Sequence, residues 1–193
     1  MPKTEVFNRD YVLKQATEVF HTKGYNATSM QDLVDATGLN RSSIYNSFES
    51  KHNLYVECLK GYEENYQRYI SKLLLDANSP FNAIKSIFNL YLKEILKDTK
   101  TKGCLIVNCK SEMANQDLTI NKFLLTNQKG TLSLLEDLVD KGQLDSSINT
   151  EKSKQAYALY LYSAMQGFRM TGILVNDKKQ LQSLIDTTLQ NLK

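Results

Sequence analysis

The sequence predicts an all-α protein of about nine helices, and three observations lead there. The 193 residues include only two prolines and eight glycines, so few breaks interrupt long helices. Apolar residues recur at i, i+3 and i+4 along nearly the whole chain. Stop and start signals fall between the periodic segments: Gly24 and Gly38 as ends, Asn40 and Ser50 as starts, Pro80 in a first turn.

Taken in order, the first helix is expected from about Asn8 to Lys23, with Leu13, Ala16 and Phe20 on one face and Val12 and Val19 beside it. A short second helix starts at Thr28-Ser29, either of which can cap it, with Gln31 or Asp32 in its first turn. Met30, Leu33 and Val34 form its buried side. After Gly38, Asn40 can cap a third short helix whose Ile44 and Phe48 turn inward at i, i+4. The fourth runs from about Lys51 to Leu75 and aligns Tyr55, Tyr62, Tyr66 and Tyr69 on one stripe. Further helices are expected over about Pro80–Asp98, Cys104–Ala114, Leu118–Lys141, Glu151–Leu174 and Lys178–Leu192.

Composition narrows the function. The net charge is +3, and the first 52 residues are neutral. There, Lys3, Arg9, Lys14, Lys23, Arg41 and Lys51 offset Glu5, Asp10, Glu18, Asp32, Asp35 and Glu49. No apolar run approaches the roughly 18–20 residues of a membrane span, and Met1–Asp10 lacks the apolar segment of a signal peptide. Three cysteines, Cys58, Cys104 and Cys109, make neither a metal spacing nor an even disulfide set. A cytoplasmic protein without metal or cofactor is expected. With two histidines, both near the N-terminus, and no Gly-rich phosphate loop, little is available to build a catalytic site.

The stretch Gly38–Lys51 is unusual for a surface helix, because neutral hydrogen-bonding groups replace the usual charged face. Two short helices joined at Gly38 make a helix-turn-helix candidate, whose second helix would enter a major groove. Arg41, Ser42, Ser43, Tyr45 and Asn46 would face DNA while Ile44 and Phe48 pin the helix to Phe20, Leu33 and Val34. Hydroxyls and amides suit phosphates and base edges, and Arg suits guanine. The Ser50-Lys51 helix start offers N–H groups and a lysine to another phosphate.

The segment Ala16–Leu59 resembles the signature of the TetR family of bacterial transcriptional regulators. The matching residues are Ala16, Phe20, Gly24 followed by an aromatic, Thr28-Ser29, Leu33-Val34, Ala36, Gly38-Leu39, Ser43, Ile44-Tyr45, Phe48, Ser50-Lys51 and Leu54. The run Gly103–Ala114 is similar to a stretch of one branch of that family. The resemblance implies a helix-turn-helix DNA-binding head over residues 1–50 and a helical ligand-binding and dimerisation domain over residues 51–193. It implies a homodimeric repressor that binds double-stranded DNA at a palindromic operator and is released by a small-molecule inducer of unknown identity. By the family pattern Thr28, Tyr45 and Lys51 contact phosphates, Arg41, Ser42 and Asn46 read bases, and Ser29 and Ser43 lie in the same interface.

Candidates for a ligand pocket are Tyr62, Tyr66, Tyr69, Phe88, Tyr91, Cys104, Met113, Phe123, Met165 and Phe168, each also suited to core packing. Small and apolar residues on the last two helices, Ala156, Tyr160, Ser163, Ala164 and Gly167 with Leu181, Leu184, Ile185 and Leu189, suit a dimer four-helix bundle, with packing in the chain's own core as the alternative. A helical small-ligand carrier or adaptor without DNA binding is the alternative. Cys104 and Cys109 are expected to be buried and unbridged. A five-residue helical step rises about 7.5 Å, beyond the Cα separation of about 4.4–6.8 Å usual for a disulfide.

Overall fold

The computed structural model describes residues 7–193. Lys3 and Glu5 of the charge balance, and most of the Met1–Asp10 segment, lie outside them. The described residues form nine helices and no strand: α1 Arg9–Lys23, α2 Met30–Thr37, α3 Arg41–Phe48, α4 Lys51–Leu75, α5 Pro80–Lys97, α6 Leu105–Met113, α7 Leu118–Leu144, α8 Lys154–Thr171 and α9 Lys178–Gln190. Among them no helix is long and apolar enough to cross a membrane.

The first three helices start and stop where their end chemistry dictates. Asn8 caps α1 by accepting from the Tyr11 N–H. Ser29, rather than Thr28, caps α2, and Asp32 returns the bond to the Ser29 N–H in a full capping box. Asn40 caps α3 through the Ser43 N–H at 2.8 Å. Gly38 ends α2 at φ 72°, left-handed backbone that a glycine adopts without strain. Three later boundaries differ from expectation. α7 continues through Gly142 to Leu144, because Ile148 packs where a Cβ on Gly142 would sit, 2.5 Å from Ile148 Cδ1. α8 begins at Lys154, where Ser153 caps it. It ends at Thr171, where Gly172 closes the last turn on the Phe168 carbonyl.

Two apolar cores result. One joins Val12, Ala16 and Phe20 of α1, Leu33 of α2 and Ile44 and Phe48 of α3 to Leu54, Tyr55, Cys58 and Leu59 of α4. It also takes every buried residue of α6, and Ile120 and Leu124 of α7. The second core packs α5 against α7, α8 and α9. Ser50 marks a turn in the chain, with Glu49 at φ 64° before it. The packing does not break there, because the three-helix head shares its core with the first half of α4 and with α6. Burying one side chain such as Ile44 or Phe48 contributes roughly 1.5–3 kcal/mol.

Polar ties fasten the head to α6 as well. The Glu112 carboxylate accepts from the backbone N–H groups of Tyr25 at 2.9 Å and Asn26 at 2.7 Å. Gly24, at φ 78°, lies so close that a Cβ there would sit 2.9 Å from Glu112 Oε2. His21 Nε2 meets the Gly103 carbonyl at 2.9 Å, and Lys102 reaches Glu18. Glu112→Ala leaves two turn N–H groups without their acceptor and should cost about 1–3 kcal/mol. Chemical denaturation monitored by circular dichroism measures the loss, and a wild-type midpoint would show that the clamp does not hold the head.

Candidate functional site

Helix α3 presents one face outward and locks the other. Ile44 and Phe48 are buried in the head core, while Arg41, Ser42, Tyr45 and Asn46 are exposed and Ser43 is half-buried. Arg41 and Tyr45 stand one turn apart, as do Ser42 and Asn46, whose Nδ2 lies 3.5 Å from Ser42 Oγ. Arg9 backs this helix from inside. Its guanidinium bonds both Glu57 carboxylate oxygens at 2.8 and 2.9 Å and stacks 4.4 Å over the Phe48 ring.

Two expected phosphate contacts are corrected by this geometry. Thr28 is only 2% exposed, and its hydroxyl donates to the Gly24 carbonyl at 2.6 Å. Its side chain closes the α1–α2 turn and offers nothing to an outside group. Lys51 points inward, donating to the Tyr25 and Thr28 carbonyls at 2.8 and 2.7 Å with its ammonium 4.3 Å over the Tyr25 ring. Burial lowers its pKa. Ser29 is exposed, but its hydroxyl is shared with Asp32. Lys23 at 2.6 Å, with the Ser29 N–H and hydroxyl, holds the Asp32 carboxyl down to about 2. His52 sits with Nε2 2.8 Å from Asp117.

A cavity in two parts opens between α4, α5, α6, α7 and α8, and Arg169 lines both parts. One side encloses about 400 Å³ and meets His21, Glu94, Gly103 and Cys104. The other encloses about 460 Å³ and meets Ile70, Leu74, Ile106, Val107, Lys110, Leu134, Met165 and Gln166. Tyr62, Tyr66, Tyr91 and Arg169 belong to both. The Arg169 guanidinium lies 3.9 Å over the Tyr91 ring and 4.6 Å over Tyr66. Its Nη1 is 2.8 Å from Cys104 Sγ and its Nη2 3.3 Å from Glu94 Oε2, which also accepts the Tyr66 hydroxyl. Burial raises the pKa of Tyr62, Tyr66 and Tyr91, so all three stay protonated and can donate.

Of the expected pocket residues, Tyr62, Tyr66, Tyr91, Cys104 and Met165 line this space. Phe88 and Phe168 instead form an edge-on pair inside the second core, 5.9 Å apart. Met113 is buried under Asn26, and Phe123 packs on the head core. Tyr69 is 63% exposed, because the contact line of α4 rotates toward Ile70 and Leu74 and leaves it outside. Arg169, Glu94, Lys110, Gln166 and His21 were missed. The signal for Arg169 was a single charge inside the otherwise uncharged run Ala156–Met170. Cys104, Cys109 and Cys58 are all buried and unbridged.

The outer surface of α8 carries Ala156, Leu159, Ser163, Gly167 and Met170 in one row, with Tyr160 and Ala164 half-buried beside it. Leu159 is 55% exposed, and Leu184 on the adjoining α9 is 40% exposed. Leu181, Ile185 and Leu189 are not part of that surface. They face inward and are buried in the chain's own core, so they cannot meet a partner. The Tyr160 hydroxyl joins α8 to α9 by donating to the Thr188 carbonyl at 3.0 Å.

Residues 12–58 match the family described as "Bacterial regulatory proteins, tetR family". The head of the chain, residues 12–58, is that of the tetR family. It is 27% identical over 197 residues to the uncharacterized HTH-type transcriptional regulator YezE of Bacillus subtilis (strain 168), with 100% of both chains covered. It is 26% identical over 192 residues to the HTH-type transcriptional repressor DhaR of Mycobacterium sp. (strain GP1), covering 100% of this chain and 94% of the relative. Its fold matches a cysteine mutant of the TetR family regulator CifR complexed with 26-bp double-strand operator DNA. That match has a TM-score of 0.86 at 20% identity, with 100% of each chain covered. In the tetR fold of this chain, α2 and α3 are therefore the helix-turn-helix pair.

The inward turn of Lys51 has a measurable consequence. Lys51→Ala should lower head stability by about 1–3 kcal/mol, since two part-buried carbonyls lose a charged donor. Thermal unfolding reads this directly. An unchanged melting temperature together with a shallower salt dependence of DNA binding would return Lys51 to the phosphate role.

Proposed function

We propose that this chain is a transcriptional regulator that acts as a homodimeric repressor on a palindromic operator and is released by a small-molecule inducer. The observation that carries the reading is α3. One of its faces is locked by Ile44 and Phe48, and the other offers Arg41, Ser42, Tyr45 and Asn46 with few internal partners. A ligand carrier has no use for that face. The repressor name of DhaR and the operator-bound CifR mutant support the same reading. Its work is binding rather than catalysis, and the cytoplasm is where an operator would be met. Arg41, Ser42 and Asn46 are assigned to base edges, and Tyr45 and Ser43 to the backbone beside them. The row on α8, with Leu184 of α9, is assigned to the dimer interface. The division into a head over residues 1–50 and a body over residues 51–193 describes these two tasks.

The coupling follows from shared helices. Tyr62 and Tyr66 line the cavity on α4, whose first turns support α3, and Glu112 ties α6 to the α1–α2 turn. An inducer that separates these helices moves the head. It must bind the released arrangement better than the operator-bound one, by about 5.5 kcal/mol to carry the balance from 1:99 to 99:1.

Arg41→Ala should cost about 1–3 kcal/mol of operator affinity and relax the preference at one base position. Competition binding against single-base operator variants checks it, and an unaltered preference would remove Arg41 as a base reader. For the dimer, Gly167→Leu is the informative change, because a Cβ at Gly167 meets no atom within 4 Å in its own chain. The variant should fold, with an unchanged circular dichroism spectrum, and dissociate into monomers by light scattering. A wild type that is already monomeric at micromolar concentration would overturn the dimer.

A further inference from the structure

The cavity beside Arg169 holds more positive charge than its own acids neutralise. Lys110 of α6 is half-buried in its wall and donates to the Tyr162 hydroxyl at 2.6 Å and to Gln166 Oε1 at 2.8 Å. Its ammonium also lies 4.9 Å from the centre of the Tyr162 ring. All these partners are neutral, and an ammonium has three N–H bonds to place. Among the described residues no carboxylate pairs with it. Burial lowers the pKa of Lys110, and the charge of Arg169 pushes it the same way. Arg169 faces the same space with one carboxylate, Glu94, at 3.3 Å on a single Nη, and that oxygen is shared with Tyr66. Its other bond goes to Cys104 Sγ, a weak acceptor. Glu63, the remaining acid of the wall, accepts from Asn127 at 2.9 Å and from Gln67.

A cation taken from water without a counter-charge is costly. The uncharged part of the wall is of the opposite kind: Ile70, Leu74, Ile106, Val107, Leu134 and Met165 make one side apolar. Tyr91 stands between the two. Its hydroxyl has no acceptor among the described residues, and burial keeps it protonated. A ligand that satisfies all of these has an anionic head and an apolar body within about 460 Å³.

We infer that the inducer is a small organic carboxylate, its head paired with Lys110 and Arg169 and its apolar body laid against α4 and α7. The carboxylate takes the free N–H of Lys110, and the Tyr91 hydroxyl is a second donor. An aromatic acid or an aliphatic acid of medium length fits the space. The same contacts explain release: pairing with Lys110 moves α6, and α6 carries Glu112.

This inference rests on the reading of the cavity as an inducer site, and the test separates the two. Isothermal titration calorimetry on the full chain, without DNA, compares benzoate and octanoate with their neutral partners benzamide and octanamide. At least one acid should bind about tenfold or more tightly than its amide. Lys110→Met, which keeps the apolar stem and removes the charge, should erase that preference and leave amide affinity unchanged. Lys110→Arg should retain it, which distinguishes lost charge from lost packing. Amides that bind as well as the acids, a preference that survives Lys110→Met, or no acid binding below about 10 mM would each overturn the inference. An acid that binds as expected but leaves operator binding unchanged would instead overturn the inducer reading alone.

Discussion

The fold depends most on one carboxylate that ties the head to α6. Glu112 sits on α6, the nine-residue helix between cavity and head, and closes the α1–α2 turn by accepting two backbone N–H groups. A turn N–H buried without an acceptor costs about as much as a lost hydrogen bond. The turn can approach Glu112 only because Gly24 has no side chain there and tolerates φ 78°. With that approach made, His21 reaches the Gly103 carbonyl and Lys51 caps the carbonyls of Tyr25 and Thr28. The head is therefore not a bead on a linker. It is held from below by α4 and from the side by α6, the two helices that also wall the cavity.

How much of this was legible in the sequence depended on the range of the interaction concerned. Helix starts at Asn8, Asn40 and Ser50 were readable, because a cap is an agreement between residues three apart. The exposed face of α3 was readable for the same reason: Ile44 and Phe48 fix one side, and so Arg41, Ser42, Tyr45 and Asn46 must take the other. Tyr62 and Tyr66 could be placed on the cavity from the stripe of α4. The inward turn of Lys51 could not, because its acceptors lie 23 and 26 residues away. Nor could periodicity decide between Leu184, which is exposed, and Leu181, Ile185 and Leu189, which are buried. All four repeat at helical spacing, and the packing of α9 on α5 and α8 selects among them. Phe88 and Phe168 failed as cavity residues for a like reason, since two aromatic rings from distant helices satisfied each other.

The electrostatics of the body explain why its functional residues were the least visible. Arg169 is tolerated in the interior because four neighbours share its charge: two tyrosine faces, a carboxylate and a thiol sulfur. They come from α4, α5 and the start of α6, so no local pattern contains them. Lys110 differs in kind. A surface lysine on a nine-residue helix would cost nothing, yet this one is half-buried between Tyr162 and Gln166. Natural chains keep such groups where a charge is useful rather than where it stabilises.

The head has its own charge problem, and the proposed dimer answers it. Its basic groups are mostly committed: Lys23 to Asp32, Arg9 to Glu57, and Lys51 to two carbonyls. Few cations remain to displace counter-ions from phosphates, so the sequence-independent part of the affinity of one head is small. Hydroxyls and amides on α3 add direction but little long-range attraction. On the proposed dimer, two such heads would bind with the second contact at high effective concentration, which multiplies a weak affinity without any new contact. A weak head is also easier to release. A modest change in the distance between the two recognition helices removes the bivalent gain, and what then remains is the affinity of a single neutral head. On this reading the neutrality of the head is the condition under which a small ligand, far from the DNA, can control binding.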